Sequence, residues 1–298
     1  MVRIGFDVGG TSIKAGILDE DMNLITKKIA PFPKKLGYHN IIKAMDETAE
    51  AMLTEIHLDK SRVASLGIAS AGMVDMSRGA IIRAYNLDFY NVPIRDEIEE
   101  YFPGVPVCVI NDANAAALAE LKKGALRGYE NAVLLTLGTG IGGGIILGGK
   151  LFNGGLEHGV ELGHVTLSLG GLPCTCGNAG CVETLCSATW IISKGRPLGY
   201  TDAKSVLDSA REGEPAALEI FNEYTENLSS ALASICSLLD PEIIALGGGV
   251  SLAGDFLYGP LTEKVEQKSF FKYAYKIVPA QLGNDAGMIG AALAEKTC

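Results

Sequence analysis

The chain has 298 residues, 48% of them hydrophobic and 20% charged, which calls for a packed core and excludes extended disorder. Its formal net charge of −10 argues against nucleic-acid partners, which need clustered Lys and Arg. It leaves room for a phosphate held locally by backbone N–H groups. The opening MVRIGFDVGG enters alternating apolar positions without a charged leader. The longest apolar run, Ala132 to Leu147, is broken by glycines and makes no membrane span. A cytoplasmic location with no membrane partner is expected. Cys108, Cys186, Cys236 and Cys298 are scattered and read as reduced, mostly core residues.

Val2, Ile4, Phe6 and Val8 alternate as in a strand. Gly9, Gly10, Thr11 and Ser12 follow, and Ile13, Ala15 and Ile17 resume the alternation, so the glycines form a hairpin turn. Such a tip presents N–H groups to an anion, and Lys14 adds charge. Asp7 lies just before the turn, and an acid beside bound phosphate calls for a cation between them, such as Mg2+. A plain hairpin with an exposed Asp is the alternative. A Walker A loop is excluded, because a strand follows rather than a helix.

Asn40 to Ile56 has helical spacing with one apolar face, and Val63 to Ala69 reads as a strand. Asn86 lies in a polar and aromatic loop, as a polyol contact or a turn residue. Val105 to Ile110 predicts a strand and Ala115 to Lys122 a helix. Asn111 and Asp112 fall between them, where α/β proteins gather ligand groups. An ionised carboxylate there can take a proton from an alcohol; a simple helix N-cap is the alternative.

Ala132 to Leu137 is a further strand, leading into Gly138-Thr139-Gly140-Ile141-Gly142-Gly143-Gly144. Gly138, Gly140 and Gly143 match a dinucleotide fingerprint, but an apolar run follows instead of a helix, so a second hairpin is the better reading. A shift of 128 residues lays Gly10-Thr11 on Gly138-Thr139, and Gly16-Ile17 on Gly144-Ile145. The match suggests a duplicated fold.

Glu161 to Glu183 holds Cys174, Cys176 and Cys181, with His164 ten residues before the first. Three thiolates and one imidazole make a tetrahedral Cys3His set suited to zinc. The alternative is buried or disulfide-bonded cysteines, and His158 is a rival ligand. Pro215 to Leu239 predicts one long helix, Glu242 to Leu246 a strand, and Ala286 to Glu295 a short helix. Gly247, Gly248 and Gly249 lack side chains, so a flat group such as adenine fits against the backbone; an unliganded turn is the alternative.

The ordered set Asp7-Val8-Gly9-Gly10-Thr11, Asn111-Asp112, Gly138 to Gly144, Glu161-Leu162-Gly163-His164, Cys174 to Cys181 and Gly247 to Val250 resembles the ROK family of sugar kinases, and most of all its bacterial glucokinases. The resemblance implies two RNase H-like α/β domains of the actin/hexokinase-like ATPase class around a central cleft. The first would span residues 1–118 with the helix 286–298 packed back on it. The second would span 119–285 with a zinc-binding insertion at 161–183. It implies transfer of the ATP γ-phosphoryl group to a hexose, most simply glucose, with Asp112 as base. Asn86 is a further candidate, and Asn111, Glu161, His164 and Glu183 match sugar ligands. Gly9, Gly10, Thr11, Lys14, Thr139, Gly140 and residues 247–249 fall on ATP-contacting loops, with Asp7 near Mg2+. Zn2+ would be structural, held by His164, Cys174, Cys176 and Cys181, and the assembly a homodimer or homotetramer. Kinases for fructose, mannose, allose or N-acetylhexosamines are alternatives. A sugar-responsive repressor is a weaker one, since the first hairpin begins within ten residues and leaves no room for a DNA-binding domain before it.

Overall fold

The structure, a computed structural model, describes residues 1–32, 37–84 and 87–294. The candidate Asn86, Cys298 and the end of the expected 286–298 helix lie outside the described residues. The chain runs through β1 (Val2–Val8), β2 (Ser12–Leu18), β3 (Leu24–Pro31), α1 (Tyr38–Glu55), β4 (Val63–Ser70), β5 (Met73–Asp75), β6 (Ala80–Ala84), β7 (Phe89–Val92), α2 (Ile94–Glu99), β8 (Val107–Asn111) and α3 (Asp112–Lys123). It continues through β9 (Ala132–Leu137), β10 (Ile141–Leu147), β11 (Lys150–Phe152), α4 (Val182–Cys186), α5 (Ala188–Gly195), α6 (Ala203–Arg211), α7 (Pro215–Leu239), β12 (Ile243–Gly247), α8 (Asp255–Lys268), β13 (Ile277–Pro279) and α9 (Ala286–Leu293). None of the described helices is long and apolar enough to cross a membrane.

Two compact units result. The first comprises Met1–Lys123, Leu151–Val160 and Asn284–Cys298. Its main sheet has the order β3-β2-β1-β4-β8. The β1, β2 and β3 strands pair antiparallel, while β4 and β8 add in parallel. Helix α9 lies directly on this sheet, and the sequence allows that through a row of glycines. Gly16 stands opposite Gly5, and Gly5 opposite Gly67. A Cβ on Gly67 would fall 1.8 Å from the Ala291 carbonyl oxygen, and one on Gly5 2.0 Å from that of Met288. The same device joins α9 to α3, where a Cβ on Gly290 would fall 1.7 Å from the Ala115 oxygen. A smaller sheet, β5-β6-β7, completes this unit.

The second unit comprises Gly124–Lys150 and Glu161–Gly283. Its sheet has the order β11-β10-β9-β12-β13, with β9 and β10 antiparallel and β12 and β13 added in parallel. The two large sheets thus share one topology, and the 128-residue self-similarity marks their leading hairpins. The long helix α7 starts at Pro215, where the Glu214 carboxylate accepts from Ala217 N–H at 2.6 Å. It ends where Asp240 turns left-handed at φ 43°. Between them Ile220, Phe221, Tyr224, Leu228, Leu232 and Ile235 form its buried stripe.

Cys186 and Cys236 are free and buried.

The α9 seam gives a stability prediction. Gly67→Ala forces backbone to part from backbone and should destabilise by about 1–3 kcal/mol. Urea denaturation checks this, and an unchanged midpoint would show that α9 does not bear on the sheet there.

Candidate active site

The first hairpin closes with Gly9 N–H donating to the Ser12 oxygen at 3.0 Å. Among the described residues, the N–H groups of Gly10 and Thr11 at its tip have no acceptor. Asp7 and Lys14 stand opposite each other in the β1–β2 register. Lys14 Nζ lies 3.0 Å from Asp7 Oδ2 and 3.3 Å from the Asn284 oxygen. The lysine is therefore held back on Asp7, one rung behind the tip, a pairing that hairpin register alone would have shown.

The α3 helix starts three residues earlier than its periodicity suggested, at Asp112. The reason is Asn111, whose Oδ1 accepts from Ala113 N–H at 2.9 Å and Asn114 N–H at 3.2 Å. Its Nδ2 donates to the Gly72 oxygen at 3.1 Å. Asn111 is thus the cap, and the Asp112 carboxylate is largely spared that role, its Oδ1 accepting from Ala113 N–H at 2.9 Å. Burial, and then the negative charge of Asp7, push the Asp112 carboxyl up to about 6. The Ala113 N–H and Lys14 pull the other way and lose.

Sequence patterns gave no hint of Asn114. It is fully buried, and among the described residues neither atom of its amide has a partner. Gly159, at φ +87°, presses on it, and a Cβ there would fall 2.3 Å from Asn114 Nδ2 and 3.8 Å from Asn111 Cβ. The 153–159 loop therefore closes over the start of α3, and the Asn153 Oδ1 in it is also unpaired. Buried amides without a protein partner are rare.

In the second unit, the hairpin between β9 and β10 repeats the first. Gly138 N–H donates to the Gly140 oxygen at 3.1 Å, and among the described residues the N–H groups of Thr139 and Gly140 have no acceptor. Gly142 N–H is taken by Thr136 Oγ1 at 3.1 Å. The 247–249 loop lies against the same hairpin. Gly248 has φ +82°, and a Cβ on it would fall 2.5 Å from the Leu137 oxygen. Any side chain there would part the loop from the hairpin.

Among the described residues, His164, Cys174, Cys176 and Cys181 place their donor atoms within 4.8 Å of one another. Cys176 Sγ and Cys181 Sγ are 3.7 Å apart, and Cys174 Sγ and His164 Nδ1 are 3.6 Å apart. Tetrahedral bonds of about 2.3 Å to sulfur and about 2.0 Å to nitrogen require separations of about 3.5–3.8 Å, so the cage fits a zinc-sized ion. None of the three cysteines is in a disulfide. His158, the rival ligand, is exposed and stands outside this group. The cage forms because Gly180, at φ +74°, passes against Ser168, and Cys174 N–H closes on the Asn178 oxygen at 2.7 Å. Glu161 immediately precedes the 3-10 turn Leu162–His164, and Glu183 is in the first turn of α4. The two glutamates thus flank the cage along the chain.

The elevated Asp112 carboxyl has a stability consequence. A folded state that holds a proton more tightly than the unfolded chain loses stability as pH rises from about 4 to about 6. Asp112→Asn removes that penalty. It should raise stability by up to about 3 kcal/mol at pH 8 and leave it unchanged at pH 3.5, as read by urea denaturation at both pH values.

Comparisons with known proteins agree with this geometry. The family model described as "ROK family" matches residues 3–297. A glucokinase of Halalkalibacterium halodurans is 37% identical, over 96% of this chain and 92% of that protein. The crystal structure of a ROK hexokinase from Thermus thermophilus superposes with a TM-score of 0.86 at 36% identity, covering 98% of this chain and 97% of that one. A ROK family glucokinase from Streptomyces griseus, solved with glucose and AMPPNP, gives a TM-score of 0.84 at 32% identity over the full length of both chains. The chain therefore has the actin/hexokinase-like ATPase fold and belongs to the ROK family.

Proposed function

We propose that this chain is an ATP-dependent hexose kinase that transfers the γ-phosphoryl group to glucose. The observation that carries the reading is Asp112, a carboxylate released from helix capping by Asn111 and raised to about 6. At neutral pH it is ionised, yet close enough to its titration to take a proton from an alcohol as the bond to phosphorus forms. Phosphoryl transfer needs alignment and charge neutralisation more than covalent help. The open amides at Gly10-Thr11 and Thr139-Gly140 supply donors for phosphate oxygens. The loop at Gly247, Gly248 and Gly249 offers bare backbone beside the second of them for the adenine. ATP enters as its Mg2+ complex. Asp7, already neutralised by Lys14, faces that cation through water more readily than by direct ligation.

Glu161 and Glu183 accept from sugar hydroxyls, and His164 donates from the ring nitrogen that the cage leaves free. Asn111 has one amide hydrogen beyond its bond to Gly72, enough for a single sugar oxygen. Zinc, held by His164, Cys174, Cys176 and Cys181, supplies no chemistry and fixes the segment between the two glutamates. Glucose is favoured among hexoses by the glucokinase relatives.

Asp112→Asn should keep binding of glucose and MgADP while lowering kcat by about 10²–10⁴. Wild-type kcat should fall at acid pH with a midpoint near 6. Near-normal turnover in the variant would remove Asp112 from the chemistry. Metal analysis of purified protein should find about one zinc per chain, and none in an active preparation would refute the cage.

A further inference from the structure

The Cys3His segment does more than flank a sugar. Both of its ends bear on one residue of the second hairpin, Ile141. On the C-terminal side, Glu183 Oε2 accepts from Ile141 N–H at 3.0 Å. Gly140 must lack a side chain for this, since a Cβ there would fall 2.3 Å from the same oxygen. On the N-terminal side, a Cβ on Gly163 would fall 2.0 Å from the Ile141 carbonyl oxygen, so the turn carrying His164 lies directly on that peptide. The chain after Glu183 tightens the hold. Ala188 N–H donates to the Gly138 oxygen at 2.8 Å, and Thr189 Oγ1 to the Thr139 oxygen at 2.6 Å. Three successive peptides of the tip are thereby pinned through groups other than the Thr139 and Gly140 N–H, which have no acceptor among the described residues.

We propose that Glu183 is a positioning residue for the nucleotide, and that the metal-clamped segment grips the 138–141 hairpin at Ile141 and so presets its amides for phosphate. The inference rests on the kinase reading of that hairpin. It assigns Glu183 a second duty, since one carboxylate oxygen is spent on Ile141 while Oε1 faces the cage, 4.0 Å from Cys174 Sγ. Loss of the metal then loosens the nucleotide site as well as the sugar ligands. An ordered hairpin needs no reorganisation when phosphate arrives, which is where such a grip raises affinity.

The test uses full-length, metal-replete protein and needs no turnover. Calorimetry with MgADP and no sugar measures affinity, and amide hydrogen exchange reads residues 139–142. Glu183→Ala should weaken MgADP about tenfold, since a hydrogen bond to a charged group is lost. It should also speed exchange at Ile141. Glu183→Gln retains a carbonyl acceptor and should restore most of both. Chelator-stripped wild type should behave like Glu183→Ala, an arm that stands even where that variant fails to fold. Wild-type affinity and protection in Glu183→Ala, or in the stripped protein, would overturn the proposal. Wild-type protein that does not bind MgADP at all contradicts the kinase reading instead, and exchange at Ile141 then decides the grip alone.

Discussion

A glycine hairpin cannot satisfy the amides at its own tip, and this chain is built around two such tips. Each large sheet leads with an antiparallel hairpin, closed by one internal bond from Gly9 or Gly138, and among the described residues each leaves two N–H groups without an acceptor. Unpaired backbone donors are costly to bury and favourable to aim at an anion. The surrounding residues answer to that constraint. Lys14 and Asp7 neutralise each other one rung behind the first tip. Thr136, Glu183, Ala188 and Thr189 hold the second by its flanks, and Gly248 brings a bare loop against its base.

The second constraint is the division of labour between Asn111 and Asp112. A helix start needs an acceptor for its first amides, and a neutral amide supplies it here. Had Asp112 capped α3 alone, several N–H groups would have drawn its carboxyl down. Instead burial and Asp7 prevail. The carboxyl stays more basic than an ordinary aspartate, at a cost in stability above pH 6.

Elements with strong local signals were legible in the sequence. Helix α7 has the bounds that its apolar stripe and Pro215 indicated, and the strands β1 and β9 follow their apolar periodicity. The Cys3His cage was legible because thiolate chemistry at short spacing has few other uses. What stayed hidden depends on distance through space. Glu183 meets Ile141 across 42 residues of chain, and no spacing rule links them. The orphaned amide of Asn114 becomes visible only once Gly159 is seen to press on it. Short helices such as α4 and the small β5-β6-β7 sheet carry too few residues for a periodic pattern.

Together these parts would move phosphate from ATP to a hexose, and that transfer is the activity to measure. Incubating the metal-replete protein with MgATP and a panel of glucose, mannose, fructose, allose and N-acetylmannosamine tests it directly, with ADP release measured alongside sugar phosphate by phosphorus NMR. Glucose should give the highest kcat/KM, with one glucose 6-phosphate formed for each ADP. No sugar phosphate from any member of the panel, or ADP released without it, would contradict the account.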